Sequence, residues 1–245
     1  MTRSLLEVRS VSRHFAGVVA NDNVSINCDR GEILGLIGPN GAGKSTLFNL
    51  IAGALPPSSG TISFDGEDVT RLSAAQRCAR GIARTFQVVR SFESMSVLDS
   101  VVVGALVRTA RMREAHRKAH EVLEFTDLGH RSGVLANELT PSEKRRLEVA
   151  RALATAPTLL LLDEVMTGLT PAEAQKGVGL IRRIRDIGIT VLMVEHVMEI
   201  VMPLADRAVV LDLGRVLFEG KPSDAASDAN VIAAYLGSRH RAPSQ

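Results

Sequence analysis

The chain has 245 residues, 45% of them hydrophobic, with 29 basic and 27 acidic side chains for a net charge of +2. That length buries a conventional core as one domain, or as one domain with an insertion, without disulfide or metal staples. So small a net charge argues against a nucleic-acid binder, and Cys28 and Cys78, which lack metal-ligand spacing, fit a reducing cytoplasm.

The opening MTRSLLEVRS lacks the apolar stretch of a signal peptide, and the aliphatic run Leu159 to Leu162 is too short to cross a bilayer, so a soluble chain is expected. Leu6 and Val8, then Val24, Ile26 and Cys28, alternate with polar residues, which predicts half-buried antiparallel strands turned at Asp29 to Gly31. EILGLIGPNGAGKSTLFNLIAG reads as a short buried strand, a glycine-rich loop and a helix closing near Gly53. GTISFDG predicts a strand, residues 73 to 80 a helix closed by Gly81, and IARTFQ a further strand.

From about residue 90 to 157 the pattern turns helical. Ser96 and Asp99 make a capping box before VLDSVVVGALV, and a polar helix follows at about 112 to 125. The basic run from Arg108 to Lys118 reads as a solvated helix face, with an acidic or phosphate-bearing partner surface as the alternative. In LTPSEKRR, residues 139 to 146, Thr140, Pro141 and Glu143 describe a closed helix start, although a helix start is also an anion site. TLLLLDE is then a strand, the T-P-x-E stretch at Thr170 to Glu173 opens a helix running from Pro171 to Ile187, and ITVLMVEH is a last buried strand. Uninterrupted apolar strands followed by helices imply a parallel sheet covered on both faces, and the tail SRHRAPSQ is expected to be disordered.

GPNGAGKST, residues 38 to 46, meets the phosphate-loop pattern between a strand and a helix, the context its mechanism demands. The whole run, Gly38, Pro39, Asn40, Gly41, Ala42, Gly43, Lys44, Ser45 and Thr46, is the candidate nucleotide cradle. Its glycines let backbone amides approach phosphates, Lys44 supplies a cation to the outer phosphates, and the Ser45 hydroxyl can hold Mg2+. A carboxylate ending a buried strand is costly unless it pairs or holds a metal, so Asp163 is expected at the magnesium and Glu164 beside the attacking water. No NKxD-like guanine-reading element follows the loop, which favours ATP.

The order of these motifs resembles an ABC transporter ATP-binding subunit, over nearly the whole chain. ARTFQ at 83 to 87, SMSVLDSVVVGA at 94 to 105, RRLEVARAL at 145 to 153, VEH at 194 to 196 and VIAAYLG at 231 to 237 look most like the branched-chain amino acid (Liv-type) cassettes. The resemblance implies an α/β fold: a P-loop NTPase core with an N-terminal antiparallel β subdomain and an inserted helical subdomain. It also implies one ABC domain at 1–240, with residues 1–89 and 158–240 as the ATP-binding core, 90–157 as the helical subdomain and 241–245 as a disordered tail.

By the same resemblance Phe15 stacks on adenine, Gln87 reaches the magnesium and senses a membrane subunit, and His196 contacts the terminal phosphate. Taken alone, Phe15 reads equally as a core phenylalanine, Gln87 as a strand-end polar residue and His196 as a bystander. Thr140 and Ser142 fall where the family's LSGGQ signature grips the ATP bound by a second cassette. Pro141 and Ser142 stand in place of its two glycines, which implies a weakened grip. Val165, Thr170 and Val197 depart from the pattern nearby, where Pro, Asp or Asn, and Asp are usual. The implied partners are transmembrane permease subunits, a second cassette and, indirectly, a solute-binding protein, at the cytoplasmic face of the inner membrane. Rival readings are a regulatory cassette needing a partner ATPase and a soluble ABC ATPase outside transport.

Overall fold

The computed structural model describes residues 4–85, 94–195 and 198–239. The chain divides into two compact units, Met1–Ala74 with Thr190–Gln245, and Ala75–Ile189. Its first stretch holds β1 (Ser4–Phe15), β2 (Val18–Asp29), β3 (Ile33–Ile37), α1 (Lys44–Ile51), β4 (Ser59–Phe64) and β5 (Glu67–Asp68). The second unit carries α2 (Ala74–Arg80), β6 (Ile82–Arg84), α3 (Val97–Ala105), α4 (Met112–Phe125), α5 (Pro141–Ala154), β7 (Leu159–Asp163) and α6 (Pro171–Asp186). The chain then returns to the first unit through β8 (Thr190–Val194), α7 (Met198–Val201), β9 (Arg207–Asp212), β10 (Arg215–Gly220), α8 (Pro222–Ser227) and α9 (Ala229–Arg239).

In the first unit β1 and β2 form a long antiparallel hairpin whose turn, Ala16 and Gly17, has positive φ at both positions. That geometry matches the twist of the flanking strands. β4 adds to β1 antiparallel, and β5 follows β4 through the Asp65-Gly66 turn, giving the order β2-β1-β4-β5. A second set of strands runs β10-β9-β3-β8, with β3 parallel to both β8 and β9. β3, with β8 on one side and β9 on the other, is buried along its full length, as an uninterrupted apolar run between two neighbours requires, and β8 is buried along its full length too. Ile37, Val201, Ala208, Val210 and Val231 form a core cluster on which Phe218 and Tyr235 pack.

The expected disorder of SRHRAPSQ is corrected in part. α9 continues through Ser238 and Arg239, while 240–245 lie outside the described residues. Val231 and Tyr235, four positions apart on this helix, both join the core cluster, and that apolar face draws the chain into helix.

In the second unit β6 and β7 pair in parallel, and α3, α4 and α5 pack on one another. The helix starts follow the local chemistry. Ser96 caps α3 by accepting from the Asp99 amide, and Thr140 and Thr170 close α5 and α6 with full capping boxes to Glu143 and Glu173.

The first member of the basic run does not sit idle in solvent. Arg108 Nε donates to Thr155 O at 2.6 Å and Nη1 to Ala79 O at 2.7 Å, with Nη2 within reach of Cys78 O and Ala156 O. One planar fork thus satisfies carbonyls at the C-terminal ends of α2 and α5, where helices leave acceptors without intrahelical partners. Arg108→Ala is expected to cost about 1–3 kcal/mol in denaturant unfolding, with Arg108→Lys recovering only part of it. An unchanged unfolding midpoint would remove the clamp from the account.

Candidate functional site

The turn after β3 is built for close backbone approach. Gly38 has φ 147°, and a Cβ there would lie 2.2 Å from Leu211 O; Gly43 has φ 96°, and a Cβ there would lie 2.3 Å from Ala20 O. Any side chain at either position displaces main chain, so the glycines are required by the loop's own packing. Gly43 is the N-cap of α1 and offers no side-chain cap, which leaves the helix start open to an anion.

Lys44, the first residue of α1, is only 6% exposed, and its Nζ donates to Gly38 O at 2.7 Å and Pro39 O at 2.9 Å. The ammonium is therefore held over the loop by the loop's own carbonyls. Pro39 and Ala42 are buried, Asn40, Gly41 and Ser45 are exposed, and Thr46 is half-buried.

Two residues that sequence reasoning missed support this loop. Asn21 on β2 is fully buried and its Nδ2 donates to Gly43 O at 3.2 Å, while its Oδ1 has no hydrogen-bond partner among the described residues. The only sequence signal was a polar residue within an apolar alternation. Tyr235 on α9 packs on the core cluster that holds Ile37, the residue before the loop, and burial pushes the phenol above its usual value. Phe15 ends β1 at the hairpin turn, 38% exposed, with the Arg13 guanidinium 4.6 Å from its ring centroid. The exposure removes the reading of Phe15 as a core phenylalanine and leaves ring surface for a planar ligand.

In the other unit β7 delivers Asp163 and Glu164. Asp163 is 7% exposed, and its amide donates to Thr85 Oγ1 at 3.1 Å. Burial raises its carboxyl above its usual value, Arg84, with Nη2 3.7 Å from Oδ2, opposes that, and Glu164 adds to it. A buried carboxylate with a raised pKa gains from a divalent cation. Its oxygen donors are of the kind that suits Mg2+ better than a softer metal. Glu164 follows with φ 48°, a left-handed conformation that a non-glycine residue adopts at a cost.

The start of α5 is closed from within. Glu143 N–H donates to Thr140 Oγ1 at 3.2 Å, Thr140 N–H to Glu143 Oε2 at 2.9 Å, and Lys144 N–H to Thr140 O. Arg131 Nε reaches Glu143 Oε1 at 3.0 Å. Burial raises the Glu143 carboxyl, but the bonds from Thr140 and Arg131 together hold it below its usual value. Pro141 has no amide, and Ser142 and Glu173 of the neighbouring capping box line the same cleft.

The sequence-predicted residues therefore fall into two groups. Phe15, the loop 38–43, Lys44, Ser45 and Thr46 belong to the first unit, and Thr140, Ser142, Asp163 and Glu164 to the second. Gln87 and His196, with Val197, lie outside the described residues.

Comparison with known proteins places these features in context. The model of the ABC transporter family matches residues 21–167. The high-affinity branched-chain amino acid transport ATP-binding protein BraF of Pseudomonas aeruginosa is 35% identical, covering 97% of this chain and 99% of its own. LivG of Escherichia coli, named for the same transport, is 36% identical with the same coverage, and the lipopolysaccharide export ATP-binding protein LptB of that organism is 32% identical over 96% and 98%. Among solved structures, the ADP conformation of an ATP-binding cassette of an ABC transporter superposes with a TM-score of 0.89 at 30% identity, over 96% of this chain and all of that one. A nucleotide-free cassette gives 0.87 at 30% identity, over 94% and 98%.

Proposed function

The chain belongs to the ABC transporter family as an ATP-binding ATPase subunit, and from that premise we propose that it drives its transporter as half of a head-to-tail cassette dimer holding ATP and Mg2+. The observation that carries this reading is the phosphate loop: an open helix start at Gly43 with the Lys44 ammonium held over the loop. Backbone amides and Lys44 bind the phosphates, Ser45 and Asp163 take the magnesium, and Phe15 stacks on the base. Mg2+ when bound neutralises charge on the phosphates, and Glu164 polarises the attacking water. Roles for Gln87 at the metal and His196 at the terminal phosphate rest on resemblance alone.

The partners in this reading are transmembrane permease subunits, a second cassette and, through the permease, a solute-binding protein, with the chain peripheral on the cytoplasmic membrane face. Among the described residues no helix is long and apolar enough to cross a membrane. The solute is a branched-chain amino acid or a related small molecule, supported by the higher identity to BraF and LivG than to LptB. The domain assignment is likewise proposed: one ABC domain at 1–240 with 90–157 as its helical part.

The closed start of α5 favours a dependent cassette. With the amides of Thr140, Glu143 and Lys144 engaged within the chain and none on Pro141, Ser142 N–H is the first-turn donor outside that network. The trans grip on a partner's phosphate is then weak, and one lost preorganised donor costs about 10²- to 10³-fold in rate. The purified chain alone is expected to be a poor ATPase, stimulated when the co-occurring cassette supplies an intact signature. Pro141→Gly with Ser142→Gly is expected to raise phosphate release by the chain alone, at some cost in helix-start stability. No gain in that double variant would reject the weakened grip.

A further inference from the structure

The main-chain oxygen of Glu164 is held by two donors. Arg145 Nη1, from the second turn of α5, donates to it at 2.8 Å, and Thr167 N–H at 3.2 Å. Two donors on one carbonyl oxygen restrict the plane of the peptide joining Glu164 to Val165. That plane sets the left-handed turn at Glu164, and the turn sets the direction in which the carboxylate leaves the end of β7. A non-glycine residue in this region relaxes unless its surroundings hold it there.

The packing beneath is apolar. Val165 and Met166 are 7% and 4% exposed, and with Val149, Leu180, Ile181 and Arg145 they line one cleft. Met166 lies so close to α6 that a Cβ at Gly177 would be 2.5 Å from its sulfur. Apolar contacts of this kind have little directional preference, so they anchor the segment without orienting the carbonyl. The orientation comes from the guanidinium.

We infer that Arg145 is a positioning residue for Glu164, through which the placement of helix α5 sets the aim of the carboxylate. The inference rests on the reading of Glu164 as the group that polarises water. It also gives a route of regulation. α5 begins at the stretch that meets the partner's nucleotide in the proposed dimer, and Arg145 lies on the same rigid helix only five residues beyond Thr140. A shift of that helix start is carried to this chain's own Glu164.

The test uses the full-length chain with MgATP under single-turnover conditions. Arg145→Met keeps an apolar side chain of similar reach and removes every donor; Arg145→Lys keeps a charged donor nitrogen without the planar fork. Arg145→Met is expected to lower the hydrolytic rate constant about 10- to 100-fold, the scale of misplacing a reacting group by an ångström. MgATP affinity and melting temperature should stay near the parent's, and Arg145→Lys should recover part of the rate. In a Glu164→Gln background Arg145→Met should have no further effect, because the group it aims is gone. A parent rate in Arg145→Met beside an impaired Glu164→Gln overturns the positioning role and leaves the water-activating role intact. An equal loss in both backgrounds also overturns it, since Arg145 would then act on something other than Glu164. If Glu164→Gln itself turns over at the parent rate, the underlying reading fails first.

Discussion

Lys44→Ala is expected to remove Mg2+-dependent ATP binding, with affinity falling about 100-fold or more while the fold persists. Two effects add. The variant loses a charge-assisted contact to the outer phosphates, a class of interaction with about 1.5–3 kcal/mol of net effect, and 1.4 kcal/mol is already tenfold in affinity. It also releases the carbonyls of Gly38 and Pro39, to which the ammonium is bonded, so the loop loses the tie that holds its shape before a nucleotide arrives. The fold should survive because β3 and the rest of α1 are anchored by Ile37, Leu47, Phe48 and Leu50, all fully buried, and not by the lysine. Calorimetric titration with ATP and Mg2+, beside a thermal melt of the same sample, decides it. Parent-like affinity would take Lys44 out of the site.

What could be read from the sequence was what is local. The phosphate loop announces itself because three glycines, a lysine and a serine fall within one turn and the start of one helix. The capping boxes at Thr140 and Thr170 announce themselves because their partners are three residues away. Alternation in β1 and β2 and the unbroken runs in β3 and β8 follow from which faces are buried. The contacts that tune the site carry no such signal. Arg145 meets Glu164 across nineteen positions, Asn21 meets Gly43 across twenty-two, and Arg108 meets Thr155 across forty-seven. Each is a side chain bonded to a main-chain carbonyl, so the residue receiving the bond has no required identity and leaves no pattern. The basic run shows the limit: its charge suggested a solvated surface, whereas Arg108 spends its donors on helix ends. The closure of α9 on the core was likewise hidden, since Val231 and Tyr235 are apolar partners only once β9 and β10 are in place.

Glu164→Gln should leave MgATP binding intact and lower turnover by about two or more orders of magnitude. Glutamine preserves the size of the side chain and adopts the same left-handed backbone, so neither the Arg145 bond to the main-chain oxygen nor the turn at φ 48° should change. What disappears is the negative charge, and with it the acceptor for a proton of the attacking water. The effect should also be unequal within a mixed dimer. In the head-to-tail arrangement each ATP lies between one chain's phosphate loop and the other chain's helix start. In the proposed mixed dimer the closed α5 start of this chain should therefore weaken the site built on the partner's loop, while this chain's own site would face the partner's signature. Turnover by such a complex is expected to run mainly through Lys44, Asp163 and Glu164 of this chain. Glu164→Gln here should nearly silence steady-state phosphate release, and the equivalent change in the partner should cost far less. Equal impairment by the two variants would mean that both sites hydrolyse, and that the bonds closing Thr140 to Glu143 open when the dimer forms.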